Sequence, residues 1–197
     1  ISPVPFISKA FMQKIKTKII EPTINALQKE NLDYRGFIFF GLMKVDDEPY
    51  VIEYNCRMGD PETEVVFPRI KNDLVELLQA TAEQQLYKYQ IEVDERYACT
   101  IVAVSKGYPS EYEKGFEINF PSLADEETIF HMGTKAINNK IITNGGRVVC
   151  ATALANTLQE AVRKSKEMIE KIKFENKYYR GDIGYEFIPP APKGEFL

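Results

Sequence analysis

The sequence predicts an α+β protein in two parts, and three observations support that prediction. Residues 1–89 combine an amphipathic helical pattern with a pair of strand-like apolar runs. Residues 90–96 are polar and acidic, and beyond them the chain changes to short strand-like runs and one long helical pattern. We therefore place a domain boundary at this segment, with one part over residues 1–95 and a small mixed α/β part over residues 96–197.

A helix is predicted over residues 8–31, because apolar residues recur there near helical spacing, with lysines and glutamates between them. Pro22 has no backbone N–H group and predicts an interruption within this helix. The apolar positions of the pattern are Phe11, Ile15, Ile19, Ile24 and Leu27.

A β-hairpin is predicted next. Residues 36–43 form a continuous apolar run of strand length, residues 46–49 are turn-like, and residues 50–55 form a second strand. We expect this hairpin to be buried on at least one face. Two short helical patterns follow, over residues 61–70 and 73–86.

The second part carries strand-like runs over residues 97–104, 128–132 and 147–155. Thr157 and Glu160 have the spacing of a capping box, so a helix with one apolar face is expected to begin there and to pack on the second sheet. The tail at residues 189–192 is rich in proline, cannot continue a strand ladder and is expected at the surface.

Composition excludes several classes of protein. The chain has 197 residues, of which 44% are hydrophobic and 27% charged, which is the balance of a globular protein. Its formal net charge of −4 gives no general attraction to nucleic acid or to an anionic membrane, so neither is an expected partner. No run approaches the ~20 apolar residues of a membrane span. Three widely spaced cysteines form no disulfide or zinc pattern, which fits a reducing cytoplasm.

A metal site is suggested by Glu53 and Asn55. Side chains alternate across a strand, so Val51, Glu53 and Asn55 share one face while Ile52 and Tyr54 share the other. A carboxylate and an amide oxygen then project together, and such hard oxygen ligands suit Mg²⁺. The alternative is a solvated strand end, and the pattern alone leaves both interpretations open.

Asp60 and Pro61 are expected to begin a helix, with Asp60 as the N-cap and Pro61 as the first helical residue. The backbone N–H groups of that helix would then face the loop just after Arg57. An anionic substrate group could be held between this guanidinium and the helix N-terminus. The alternative role of Asp60 is capping alone.

The segment Asn-Gly-Gly-Arg at residues 144–147 has two interpretations. Gly145 and Gly146 precede a strand and are first of all typical of a hairpin turn with positive φ, which the spacing favours. Glycines also let backbone amides reach an anion, and Arg147 could bind a phosphate with two N–H groups. The residues by themselves leave the second interpretation open.

These segments together resemble the phosphoribosylamine-glycine ligase family of the ATP-grasp superfamily. The family's ATP-grasp domain ends in a strand pair like residues 34–43, a motif like VIEYNCRMGDPETE at residues 51–64 and a segment like residues 68–77. Residues 107–109, 131–135, 143–148 and 180–185 resemble successive sequence motifs of the family's C-terminal domain. The resemblance covers essentially the whole chain. It implies the last portion of an ATP-grasp domain over residues 1–95, followed by the family's C-terminal domain.

The resemblance also implies an activity. The family uses ATP to convert glycine to an acyl phosphate that 5-phosphoribosylamine then attacks, in cytoplasmic purine biosynthesis with Mg²⁺ or Mn²⁺ as the metal. Carried over residue by residue, Glu53 and Asn55 match the metal ligands. Arg57, Gly59 and Asp60 match the substrate loop, in which Arg57 and Asp60 are candidate catalytic residues.

Further substrate contacts follow from related ligases. There the C-terminal domain supplies Lys and Arg to the ribose 5-phosphate, which makes Lys135 and Arg147 candidates, together with Gly145 and Gly146. The family's amino-terminal half, with most of its nucleotide site, has no counterpart here. The chain is therefore expected to be catalytically incomplete and to need that half as a partner. The alternatives are another ATP-grasp carboxylate-amine ligase and a noncatalytic ligand-binding or assembly domain.

Overall fold

The computed structural model describes residues 1–187, so the predicted surface position of the tail at residues 189–192 lies outside the described residues. The chain divides into two compact units. The sheet unit consists of Ile1–Pro3, Glu64–Arg69 and the chain from Asp94 onward, and the hairpin unit consists of Val4–Thr63 and Ile70–Val93. Because these ranges interleave, a single domain boundary near residue 95 stays a prediction.

The hairpin unit begins with a helical segment over residues 9–29. It consists of α1 (Lys9–Ile15), a π-helical turn (Lys16–Ile20) and α2 (Glu21–Lys29). Ser8 caps its start, because the Oγ atom accepts a hydrogen bond from the backbone N–H of Phe11 at 3.1 Å. Pro22 lies in the first turn of α2. The wider π-helical turn just before Pro22 accommodates its ring and its missing N–H, so the proline modifies the helix without ending it.

The predicted hairpin consists of β1 (Phe39–Val45) and β2 (Glu48–Asn55), which pair antiparallel. Asp46 and Asp47 connect the strands with φ angles of 48° and 61°, as tight hairpin turns require. The prediction that one face of the hairpin is buried is wrong, since no residue of either strand is buried and Ile52 is 63% exposed. The physical reason is that β1 and β2 form a sheet of only two strands within the described part of the chain.

The two short helices are present but shorter than predicted. Asp73 caps the second, because its Oδ1 atom accepts from the backbone N–H of Val75 at 2.8 Å. Gln84 has a φ of 58°, which a right-handed helix cannot continue, so this helix ends early. The observed elements are α3 (Thr63–Val66), a 3₁₀ turn (Phe67–Arg69) and α4 (Leu74–Ala82).

The sheet unit contains a four-stranded antiparallel sheet in the order β4-β7-β3-β8 and a separate hairpin, β5-β6. The three predicted strands are confirmed as β3, β4 and β7. The sequence did not predict β5, β6 or β8. The strands are β3 (Tyr97–Ser105), β4 (Glu127–His131), β5 (Thr134–Ile137), β6 (Lys140–Thr143), β7 (Arg147–Ala155) and β8 (Lys177–Tyr178).

The predicted second-sheet helix is α5 (Leu158–Lys171), which packs on β3 and β7. Thr157 caps it, its Oγ1 accepting from the backbone N–H of Glu160 at 3.2 Å. Fully buried Ser165 joins α5 to the sheet, because its Oγ donates to the Cys99 carbonyl at 2.7 Å and accepts from the Ala153 N–H at 3.1 Å. The core of this unit therefore lies between α5 and the two central strands.

Arg69 holds three segments of the sheet unit together. Its guanidinium donates to Ser2 Oγ at 2.8 Å, to the Asp94 carbonyl at 2.8 Å and to the Arg96 carbonyl at 2.9 Å. Burial lowers the pKa of this guanidinium, which still stays charged at neutral pH. These bonds fix the start of the chain beside β3, where Ser2 pairs with Ala98.

Candidate functional site

A polar cavity of about 340 Å³ in the hairpin unit is lined by four of the predicted site residues, Glu53, Arg57, Gly59 and Asp60. Its walls come from the two strands of the hairpin and from the loop that follows β2. This size suits a small ligand together with part of a nucleotide. The lining residues are Phe39, Gly41, Leu42, Ile52, Glu53, Arg57, Gly59, Asp60 and Glu62.

A β-bulge places Glu53 on the wall of this cavity. Gly41 lies opposite Glu53 while Leu42 lies opposite Val51, so Ile52 is an extra residue in β2. Strict alternation predicted Ile52 and Glu53 on opposite faces, and here that prediction is wrong, since both line the cavity. The bulge re-aims these side chains in the way that bulges beside functional sites commonly do.

Gly41 makes room for the Glu53 side chain. A Cβ atom at residue 41 would lie 2.8 Å from Cγ of Glu53, well inside carbon–carbon contact distance. The absence of a side chain at this position therefore lets Glu53 lie directly over the opposite strand. Any larger residue at position 41 would displace the carboxylate.

Asn55 lies beside Glu53, as predicted, and its Nδ2 donates to Glu53 Oε1 at 3.0 Å. This contact orients both side chains and leaves Asn55 Oδ1 and Glu53 Oε2 as oxygen donors. A carboxylate and an amide oxygen held together in this way match the ligand preference of Mg²⁺ or Mn²⁺. The donor set of the pair therefore fits a divalent metal.

The metal would take few ligands from this chain. Within residues 1–187, no three His, Cys, Asp or Glu side chains are grouped closely enough to hold a metal ion. Mg²⁺ commonly takes one or two carboxylates and completes its octahedron with water and nucleotide phosphate. Glu53 and Asn55 are enough for that mode of binding, and Asp60 and Glu62 are left for other roles.

The loop after β2 differs from its prediction. Asp60 and Pro61 precede the helix, which begins only at Thr63, so the assignments of Asp60 as N-cap and Pro61 as first helical residue are wrong. The reason is that the Gly59 carbonyl accepts hydrogen bonds from the backbone N–H of Thr63 at 3.0 Å and from its hydroxyl at 2.5 Å, which closes a turn over residues 59–63. A four-residue helix offers no strong dipole, and Arg57 and Asp60 instead line the cavity as side chains.

Glu62 is a cavity residue that the sequence did not single out. A Cβ atom at Gly59 would lie 2.9 Å from Cδ of Glu62 and 2.8 Å from the Phe39 ring. Gly59 is buried, and the Glu62 carboxylate therefore rests against its backbone. The only sequence signal was the position of Glu62 within the motif at residues 51–64.

A second cavity in the hairpin unit is apolar and has a volume of about 240 Å³. Burial raises the pKa of the Tyr34 phenol that lines it, and the neighbouring Cys56 thiol adds to this effect. The uncharged walls suit neither a metal nor a phosphate. Its lining residues are Thr23, Leu27, Tyr34, Ile38, Tyr54 and Cys56.

In the sheet unit, Gly145 and Gly146 are required by close packing. A Cβ atom at Gly145 would lie 2.9 Å from the Cα of Gly133, and one at Gly146 would overlap the Tyr108 ring. Neither residue is among the glycines with positive φ, and the strands before and after them, β6 and β7, do not pair with each other. The hairpin-turn interpretation is therefore wrong, because tertiary packing against Gly133 and Tyr108 selects glycine here.

The two predicted phosphate ligands lie on different strands of the sheet unit. Lys135 is exposed on β5, where it pairs with Ile142, and half-buried Arg147 begins β7. The backbone links their surroundings, since Gly133 and Asn144 are joined by a hydrogen bond of 2.8 Å. Their binding of phosphate stays a prediction.

No helix within residues 1–187 is both long enough and apolar enough to cross a membrane.

Two family models match the chain. The model for the phosphoribosylglycinamide synthetase ATP-grasp (A) domain matches residues 1–63, and the model for the phosphoribosylglycinamide synthetase C domain matches residues 98–186. Their order along the chain is the order predicted from the sequence motifs.

Two curated relatives agree with these matches. The chain is 42% identical, over 93% of its length, to phosphoribosylamine–glycine ligase of Caldanaerobacter subterraneus subsp. tengcongensis, and covers 44% of that protein. It is 42% identical, over 98% of its length, to a bifunctional purine biosynthetic protein of Pichia angusta, and covers 25% of it.

A crystal structure of phosphoribosylamine–glycine ligase from Thermotoga maritima has the same fold. It matches with a TM-score of 0.77 and 36% identity, over 91% of this chain and 44% of that one. The chain thus spans less than half the length of each of these relatives.

Proposed function

Because the chain belongs to the phosphoribosylglycinamide synthetase family, we propose that it is the carboxy-terminal part of an ATP-dependent ligase that joins glycine to 5-phosphoribosylamine. The product is glycinamide ribonucleotide, an intermediate of purine biosynthesis. One observation carries the proposal: Glu53 lies on the wall of a polar cavity that Arg57 and Gly59 also line, and Asn55 is hydrogen-bonded to Glu53.

The reaction has two steps in this proposal. An oxygen of the glycine carboxylate attacks the γ-phosphorus of ATP, ADP leaves, and glycyl phosphate forms. The amine of phosphoribosylamine then attacks the glycyl carbonyl carbon, inorganic phosphate leaves, and the new amide nitrogen loses a proton. Both steps move negative charge, so fixed positive groups and oriented ligands near the cavity lower the barriers.

Glu53 and Asn55 hold a divalent cation, Mg²⁺ or Mn²⁺, in the proposed site. A cation held there would offset the charge that develops during phosphoryl transfer. The carboxylate of Glu53 supplies negative charge to the ion, and Asn55 keeps this carboxylate in place through the 3.0 Å hydrogen bond. Gly41 provides the space that this arrangement needs.

Arg57 and Asp60 contact the reacting groups in the proposal. The guanidinium of Arg57 donates to the Met58 carbonyl at 2.9 Å through Nη1, which fixes the side chain beside the cavity and leaves its other N–H groups for an anion. A carboxylate or an acyl phosphate matches the geometry of such a guanidinium. Asp60 and the backbone of Gly59 complete this side of the cavity.

Lys135 and Arg147 bind the 5-phosphate of phosphoribosylamine, and the backbone at Gly145 and Gly146 approaches the same phosphate. The charge of two cationic side chains suits a phosphate dianion, and glycines let backbone amides approach an anion closely. The close packing of these glycines supports a fixed backbone at this place.

The remainder of the complete protein supplies the other contacts to ATP. The exposed apolar side chains of the hairpin, among them Ile52, Tyr50 and Met43, support a covering partner, because such a surface is unusual for a finished domain. The family relation supports the preceding part of the same polypeptide as that partner. Cys56, Cys99 and Cys150 are not in disulfides, which supports a reducing compartment, and we assign the enzyme to the cytoplasm.

The test uses the complete protein that contains this chain. It is incubated with ATP, Mg²⁺, glycine and freshly generated phosphoribosylamine, and glycinamide ribonucleotide is measured by mass spectrometry. Product at a rate well above a heat-inactivated control is expected, together with a loss of about 100-fold or more in Glu53→Gln. The exposed Glu76 offers a matched control, because Glu76→Gln removes the same charge outside the cavity. A folded complete protein without any turnover would favour a noncatalytic binding domain.

A further inference from the structure

The proposed reaction leaves one charged group of the cavity without a role. The cavity is lined by three carboxylates, those of Glu53, Asp60 and Glu62, and by one guanidinium, that of Arg57. Glu53 is assigned to the metal and Arg57 to an anionic group. Glu62 lines the same cavity, but the proposed reaction assigns no ligand group to its carboxylate.

The Glu62 carboxylate has a defined position. It rests against the backbone of buried Gly59, since a Cβ atom at residue 59 would lie 2.9 Å from Cδ of Glu62. The Phe39 ring, 2.8 Å from the same point, flanks it on the other side. Only glycine at residue 59 lets both groups approach the cavity wall. Glu62 is nevertheless accessible, so its charge is available to a ligand.

Glu62 is needed neither for the proposed metal nor for the helix. Glu53 and Asn55 suffice for a cation that completes its octahedron with water and nucleotide phosphate, so the proposed ion does not require Glu62. The turn that begins α3 is closed by Thr63 through the Gly59 carbonyl, so Glu62 is not needed as a cap. A ligand group of positive charge is the remaining chemical match for this carboxylate.

The substrate in the proposed function carries such a group. Free glycine is a zwitterion at neutral pH, and the enzyme must bind its ammonium without using it as the nucleophile. Resting on the proposed function, we propose that Glu62 binds the ammonium group of the amino-acid substrate while the substrate carboxylate faces the metal and Arg57. Glu62 thereby determines selectivity for an amino acid over a carboxylic acid of the same size that lacks the ammonium.

The experiment compares glycine with glycolate in the complete protein. Each acid is incubated with ATP, Mg²⁺ and hydroxylamine, which traps the acyl phosphate as a hydroxamate that can be quantified. In Glu62→Gln, the glycine KM is expected to rise about 10- to 100-fold, as for loss of a hydrogen bond to a charged group. The ATP KM stays within about twofold, and the preference for glycine over glycolate falls by a similar 10- to 100-fold factor.

Two further variants keep the test decisive. Gly59→Ala displaces the Glu62 carboxylate without altering its charge, so it is expected to raise the glycine KM in the same direction. Glu76→Gln removes a charge outside the cavity and leaves both constants unchanged. Circular dichroism and the melting temperature establish that each variant is folded.

Each outcome has one meaning. An unchanged glycine KM and an unchanged glycine preference in folded Glu62→Gln overturn the assignment of Glu62 while the ligase function stands. A fall in kcat with an unchanged glycine KM also overturns it, because that pattern indicates proton transfer and not ammonium binding. If the wild-type complete protein forms no hydroxamate with either acid, the proposed ligase function is refuted. The inference about Glu62 is then refuted too, because it rests on that function.

Discussion

Gly41→Ala tests how the hairpin positions Glu53, the proposed metal ligand. The added Cβ atom would lie 2.8 Å from Cγ of Glu53, whereas carbon atoms in contact are separated by about 3.5 Å or more. The Glu53 side chain must therefore move by about 0.7 Å, the difference between these two distances. A displacement of about 1 Å at a catalytic group can cost about 100-fold in rate.

The expected result for Gly41→Ala is a loss of about 10- to 100-fold in kcat/KM of the complete enzyme, with a higher Mg²⁺ concentration needed for half-maximal rate. The assay is glycinamide ribonucleotide formation over a Mg²⁺ titration. Met43→Ala is the matched control, because Met43 is on the same strand and 53% exposed. Wild-type activity and wild-type Mg²⁺ dependence in folded Gly41→Ala would refute the role of Glu53.

Four further outcomes are expected. This chain alone forms no glycinamide ribonucleotide from ATP, glycine and phosphoribosylamine, and product above a buffer control would contradict this. Arg147→Ala lowers kcat/KM for phosphoribosylamine by about one to two orders of magnitude and leaves the glycine KM unchanged, while an unchanged phosphoribosylamine KM would exclude a phosphate contact. Lys177→Met costs about 1–2 kcal/mol in urea unfolding, because the Lys177 ammonium donates to the carbonyls of Ile169 in α5 and of Ile172, the residue that follows α5, at 2.7 and 2.6 Å. An unaltered unfolding midpoint would disprove this. Lysine partners, foremost Lys44 for Asp47 and Lys18 for Glu48, lower the pKa of both carboxyl groups. The stability that these ion pairs add is therefore present above the unfolded pKa values and is lost as the pH falls below about 4. Hydrogen exchange of the hairpin at pH 3 and pH 6 measures this loss, and equal protection factors at the two pH values would contradict it.

Much of the sheet unit is predictable from local sequence. The bounds of β7 match its apolar run, and α5 begins directly after Thr157, because alternation and capping are properties of neighbouring residues. The β5-β6 hairpin also has a local sequence signal. Asn138 and Asn139 have φ angles of 49° and 62°, and asparagine pairs between short strands are typical of tight turns.

The details of the site depend on contacts that no local pattern contains. The bulge at Ile52 arises from the pairing of two strands, and it turns this side chain to the same wall as Glu53. The close approach of Gly145 to Gly133 joins residues that lie far apart in the sequence. Strand alternation and glycine spacing therefore located the candidate residues but assigned the wrong face to one and the wrong backbone role to two others.

The role of Glu62 shows the same limit. The motif at residues 51–64 contains four acidic residues, and the sequence pattern does not distinguish which of them share a cavity. In the structure, Glu53, Asp60 and Glu62 line one cavity together. Which of these carboxylates share a cavity thus depends on the fold.

Metal binding is the most direct test of the proposed site. Electron paramagnetic resonance of Mn²⁺ in the presence of ATP measures the affinity of the complete protein for the nucleotide-bound ion. If Glu53 and Asn55 hold the metal, Glu53→Gln weakens this affinity by about 10- to 100-fold and Glu76→Gln leaves it unchanged. Equal Mn²⁺ affinity in wild type and folded Glu53→Gln would contradict the site.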